Sequence, residues 1–150
     1  MTWLYVGFLL CLSLLGVAFL TTLLGRFFYG FPTSPDRIEY TEAADGWRLG
    51  FERHFAQGER KGVVLTCHGL AVNHYNFALG HRASLVSSLV KEGWEVWNAS
   101  LRGCGHSRQA PDLRWNTQWN FDDHVRLDTP AMLDFVLQRS GAERLHWVGH

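Results

Sequence analysis

The first 25 residues contain no charged side chain: all 14 basic and all 14 acidic residues lie from Arg26 onward. A stretch of that kind does not stay in water as an ordinary soluble terminus. Cysteine is scarce, with three residues at positions 11, 67 and 104, which excludes a disulfide framework. No excess of either charge sign exists, because the formal net charge is +0. The basic stripe expected of a nucleic-acid binder is therefore missing. The eight histidines show neither His-Glu-x-x-His nor a partner set of paired cysteines. No metal site and no cofactor is expected from such spacing. Internal repeats and low-complexity tracts are absent too, and seven tryptophans argue against a disordered chain.

What the sequence does have begins with Thr2 to Gly25, an almost wholly apolar run. As a helix at about 1.5 Å per residue it reaches about 36 Å, enough for a hydrocarbon core of about 30 Å. Trp3 and Tyr5 mark one end, and Phe27, Phe28 and Tyr29 the other, where aromatic rings suit the two interfaces. A cleaved signal peptide wants a basic start, a shorter run and a small-residue cleavage site. None of the three is met. The expectation is a single-pass N-terminal anchor over residues 2–25 in contact with membrane lipid, then a linker over 26–36. Arg26 and Arg37 follow the span, which favours the cytoplasmic side for what comes after.

Residues 37–150 read as part of an α/β domain. Arg37 to Thr41 and Trp47 to His54 are strand candidates joined by the turn signal Ala44-Asp45-Gly46. Val63 to Cys67 is a continuous apolar run, as in a strand covered on both faces. Phe77 to Glu92 carries helical periodicity and ends at Gly93. Trp94 to Ala99 is the next strand, Leu101 to Arg108 a glycine-rich loop, and Phe121 to Gln138 a long helix closed by Ser140-Gly141. Pro130 is expected to kink that helix or to start its second half. A short buried strand, Leu145 to Val148, comes last. The order is hairpin, then strand-helix-strand-helix-strand. It predicts a mostly parallel sheet with an N-terminal antiparallel hairpin and helices on both faces.

Two strand ends draw attention. One runs into His68-Gly69-Leu70 and the other into Gly149-His150. A strand ending in Gly-His leads into a nucleophile elbow, Gly-x-Ser-x-Gly. The nucleophile is then due immediately after His150, so the chain is expected to be the N-terminal part of its domain and inactive by itself. His-Gly at the other strand end suits an oxyanion donor: Gly69 permits the sharp turn and the Leu70 backbone N–H points into the site. His68 reads as structural rather than as a general base, and Arg102, Gly103 and Gly105 as shaping their loop. Asp122, Asp123, Asp128 and Asp134 read as a solvated face or partners of the helix dipole. Trp115, Trp119 and Phe121 read as core packing more than as an acyl pocket.

A family is recognisable at this point. Trp119-x-Phe121-x-Asp123, Asp128-x-Pro130-Ala131, Asp134-Phe135-Val136 and Val148-Gly149-His150 resemble the acid lipase family of α/β-hydrolases, to which gastric and lysosomal acid lipases belong. His68-Gly69-Leu70, Val96-Trp97, Arg102-Gly103 and Ser107-Arg108 fit the same pattern. Those lipases carry Asn-Ser-Arg-Gly-Asn where this chain has Ser100-Leu101-Arg102-Gly103-Cys104. The resemblance implies the α/β-hydrolase fold and a carboxylic ester hydrolase acting on apolar acyl esters, with a Ser-Asp-His triad and no cofactor. By that match Leu70 is the oxyanion residue, supported by His68, Gly69, Gly149 and His150, and a serine follows His150. Two other readings stay open: an acyltransferase or polyester synthase with a cysteine nucleophile, and a binding protein of this fold without catalysis.

Overall fold

The computed structural model describes residues 2–29, 34–80, 84–109 and 119–150. Helix α1 (Thr2–Tyr29) takes in the whole uncharged run and four residues more. Its side chains from Tyr5 to Leu24 are exposed, and the stretch Tyr5–Gly25 is long and apolar enough to cross a membrane. Its hydroxyls turn back on the helix, Ser13 to the Leu10 carbonyl and both Thr21 and Thr22 to that of Ala18. No helix hydroxyl in this set therefore needs water. Part of the expected linker, residues 30–33 with Pro32, lies outside the described residues, as does Trp115.

One sheet organises the rest. Its strands are β1 (Arg37–Glu42), β2 (Trp47–His54), β3 (Gly62–Cys67), β4 (Trp94–Ala99), β5 (Arg108–Gln109) and β6 (His146–Gly149). The order is β1-β2-β4-β3-β6, with β5 beside β2. β1 and β2 form the expected hairpin, closed at Gly46, whose φ of 81° a side chain would resist. β2 then pairs antiparallel with β4, so the hairpin is a continuation of the sheet rather than an appendage. β3 lies between β4 and β6 and is parallel to both. The last strand is not buried as the sequence suggested. It sits one residue later than expected, at the sheet's edge, and Trp147 is 41% exposed.

Strand alternation sorts the core onto two faces. Val63, Leu65 and Cys67 of β3, with Trp97 and Ala99 of β4 and Leu49 and Phe51 of β2, pack against Met132 and Val136 of helix α5 (Thr129–Ser140). Phe51 stacks on Phe135, and both meet Trp97 edge-on. On the other face, Val96 packs with Phe77 and Ala78 of helix α2 (Tyr75–Ala78) and Val86 of helix α3 (Leu85–Lys91).

Among the described residues the expected helix over Phe77 to Glu92 is interrupted. Leu79 is extended, and Ser84 restarts the helix by accepting a hydrogen bond from the Ser87 N–H at 3.0 Å. The apolar period at Leu85, Val86, Leu89 and Val90 belongs to α3, and the expectation carried it back to Phe77 across the break.

The long helix is also composite. Helix α4 (Phe121–Asp123) opens with a capping box between Asn120 and Asp123, His124–Asp128 form a π-helical turn, and α5 follows with Pro130 in its first turn. Pro130 does start the second half, and Gly141 closes it in the left-handed conformation at φ 67°. One aspartate departs from the solvated reading. Asp128 is fully buried, because the π turn aims it inward at Arg102.

Arg102 is itself only 1% exposed. Its Nε donates to Asp128 at 2.8 Å and its Nη1 to Asp45 at 2.8 Å. Removing one partner of a buried pair strands the other charge, which costs about 3–5 kcal/mol. Asp128→Ala in the full chain should lose stability of that order in urea denaturation. Asp45→Ala, at a side chain 37% exposed, should lose about 1 kcal/mol or less.

Candidate active site

Parallel pairing of β3 with β6 aligns Cys67 with Gly149, so the two strands end side by side. The His150 N–H continues the ladder by donating to the Cys67 carbonyl at 3.2 Å. His68, Gly69 and Leu70 turn away from β3 at this level, and Leu70 is 62% exposed. A β-carbon on Gly69 would lie 2.9 Å from the His150 carbonyl oxygen and 3.1 Å from its Nδ1. Of the residues singled out from the sequence, Gly69 and His150 are thus brought into contact, with His68, Leu70 and Gly149 as their chain neighbours, and His150 occupies the space a side chain at 69 would need.

His68 is fixed in one tautomer. Its Nδ1 is 2.8 Å from the Gly69 carbonyl, which only accepts, and its Nε2 is 3.1 Å from the Leu101 N–H, which only donates. The ring is consumed in holding the β3 turn against the start of the next loop, as the structural reading required. Burial, chiefly, lowers its pKa below the usual 6.5, and nearby His74 and His124 add to this.

The loop after β4 is held by Arg102 from within. Asp45 lies below the usual carboxylate range, because its bonds to Arg102 and to the Trp47 N–H outweigh the upward push of burial. Cys67 is inert: burial, assisted by the Asp128 charge, raises its thiol to about 11. All three cysteines are free. Trp119 packs edge-on against Trp47 at 6.3 Å, whereas Phe121 is 61% exposed and does not join the core.

The family model for the alpha/beta hydrolase fold matches residues 62–150. This chain belongs to that family. It is 31% identical over 134 residues to the gastric triacylglycerol lipase of Rattus norvegicus, covering 82% of this chain and 33% of that protein. It is 30% identical over 136 residues to the human lysosomal acid lipase/cholesteryl ester hydrolase, with the same two coverages of 82% and 33%. The chain thus spans about a third of the length of the curated relatives it matches. The crystal structure of an alpha/beta hydrolase from Novosphingobium aromaticivorans superposes with a TM-score of 0.55 at 26% identity, over 75% of this chain and 34% of that one. The resemblance to acid lipases read from the sequence is thereby shown.

In this α/β-hydrolase chain a second group of polar side chains gathers around β2, which two strands separate from β6 and His150. Glu52 of β2, His74 ahead of α2 and His106 of the glycine-rich loop bring one carboxylate and two imidazoles within 4.8 Å of one another. His54 stands beside them, its Nε2 3.9 Å from Glu52 Oε2. Burial pushes the Glu52 carboxyl up, but His54, His74 and His106 overturn this and hold it below the usual range. Sequence reasoning missed the group because its members are 22 and 32 residues apart, on three different elements; no local spacing links them.

The pH dependence of stability follows from His68. Its folded pKa is depressed, so the unfolded chain takes up that proton first. The stabilisation is complete above about 6.5 and is lost as the pH falls. The urea midpoint of the full chain should fall between pH 7.5 and about 5.5. The fall should be shallower in His68→Gln, which keeps an acceptor but does not titrate.

Proposed function

We propose that the protein is a membrane-anchored serine hydrolase of carboxylic esters with apolar acyl groups. The observation that carries this reading is the side-by-side ending of β3 and β6, which brings the Gly69-Leu70 turn against His150. In the proposal the residue following His150 is the serine nucleophile, raised on an elbow by the small Gly149. The Leu70 N–H is one of two oxyanion donors, the other being the N–H after the nucleophile. The names of the relatives, a triacylglycerol lipase and a cholesteryl ester hydrolase, support lipid esters as the substrate class. Helix α1 supports an anchor that would deliver the domain to such substrates at the bilayer.

In the intact protein, Gly69→Val should cut turnover of a p-nitrophenyl ester by about 100-fold to 1000-fold, the loss of one oxyanion donor. Leu70→Ala should leave turnover near the wild-type value, since the backbone N–H remains. Equal and small effects in folded enzyme would remove residues 68–70 from the oxyanion site.

For location, alkaline carbonate should leave the protein in the membrane pellet with Thr2 to Gly25 intact. A soluble protein with a new N-terminus near residues 18 to 26 would instead make α1 a signal sequence.

A further inference from the structure

The Glu52 group has no part in the proposed ester chemistry, yet it is built with care. Alternation along β2 and β4 puts Glu52, His54 and Asn98 on the face covered by α2 and α3. Glu52 is 4% and His74 3% exposed. Each is held in place by its neighbours. Thr66 donates to Asn98 Oδ1 at 2.8 Å, and Asn98 Nδ2 donates both to Glu52 Oε2 at 3.1 Å and to the His74 carbonyl at 3.0 Å. The Ser100 hydroxyl lies 3.3 Å from His74 Nδ1 and accepts from the His106 N–H at 3.3 Å.

These supports leave one set of atoms pointing at each other. With Nδ1 turned to Ser100, His74 Nε2 faces Glu52 Oε1 at 3.4 Å. His74 Nε2 is buried and has no hydrogen-bond partner among the described residues. His106 Nε2 hydrogen-bonds the same Oε1 at 3.2 Å. An unprotonated ring nitrogen facing a carboxylate oxygen is repulsive unless something positive lies between them. A proton accounts for the His106–Glu52 bond, but His74 Nε2 makes no aligned bond to the oxygen it faces. A tetrahedral ion with bonds of about 2.0–2.1 Å keeps its ligand atoms about 3.3–3.4 Å apart.

We propose that Glu52, His74 and His106 bind a divalent cation of the zinc type. Two imidazoles and a carboxylate are a donor set for such a borderline ion. The surrounding hydrogen bonds agree: the ring nitrogen of His74 away from the ion meets Ser100, and the second oxygen of Glu52 accepts from Asn98. His106, with a side chain 27% exposed, is the side from which the ion enters. Once bound, the ion ties β2, the segment ahead of α2 and the loop after β4 into one unit. The site goes beyond the ester-hydrolase reading and does not depend on it.

The test uses the full chain in detergent, without a polyhistidine tag, stripped with a chelator and titrated with Zn2+ alone or Co2+ alone. One equivalent of Zn2+ should bind in competition with a chromogenic chelator and raise the Tm. Co2+ should give the strong visible bands of a tetrahedral site with nitrogen and oxygen ligands. His106→Gln, at a half-open loop position that folding tolerates, and Glu52→Gln should each weaken Zn2+ binding about 10-fold or more. His146→Gln, on the far edge strand, should leave it unchanged. Absence of stoichiometric Zn2+ binding and of a tetrahedral Co2+ spectrum in the wild-type chain overturns the proposal. So does binding that survives both His106→Gln and Glu52→Gln. Ester turnover of the intact protein is measured in parallel: its presence or absence bears on the serine-hydrolase reading alone.

Discussion

Everything in this fold hangs on the parallel pairing of β3 with strands on both sides. Parallel neighbours cannot be joined by a tight turn, so the chain must leave the sheet, cross a face and return. The crossover between β3 and β4 lays α2 and α3 on one face, and the one between β4 and β6 lays α5 on the other. That arrangement buries Val63 to Cys67 of β3 and makes them read as an unbroken apolar run. It also forces the loops after β3, β4 and β6 to emerge at the same end. The convergence of His68-Gly69-Leu70 with Gly149-His150 is a consequence of direction and register, before any side chain is considered.

Holding those loops falls to charges removed from water. Arg102 reaches inward from the loop after β4 and finds Asp128 on the π turn and Asp45 at the hairpin. A buried guanidinium is costly unless its fork is filled, and here two carboxylates fill it. At the opposite end of β4, Glu95 joins Arg53 and Arg60, while Glu39 joins Arg53 and Arg139. The sheet is therefore pinned to α5 by ions at one end and to its own loops by ions at the other, with Trp97, Phe51 and Phe135 between them.

The sequence disclosed five of the six strands and their ends, because burial and glycine at a sharp turn leave local signatures, whereas β5 was read as the end of the glycine-rich loop. The hairpin turn and the start and stop of α5 were legible for the same reason: Gly46, Pro130 and Gly141 act where they stand. Asp128 was not legible. Its burial depends on a π turn and on an arginine 26 residues earlier, and neither leaves a mark in its neighbourhood. The break between α2 and α3 was missed because the apolar period of α3 was carried back to Phe77. The Glu52, His74 and His106 group was invisible for a deeper reason: its proximity is created by the β2–β4 pairing, which itself depends on the crossover between β3 and β4.

The one position of β2 without a side chain governs how close the glycine-rich loop may come. A β-carbon on Gly50 would stand 2.5 Å from that of His106 and 2.8 Å from its carbonyl group, while the Ser107 hydroxyl accepts from the Gly50 N–H at 2.8 Å. The loop rests directly on bare backbone there. Residue 50 is in effect a shim of zero thickness, and even one methyl group inserted at it would jack the loop off the strand. The spacing between Glu52 and His106 is thus adjustable from a residue that touches neither functional group, which makes position 50 a handle for separating the two without altering either.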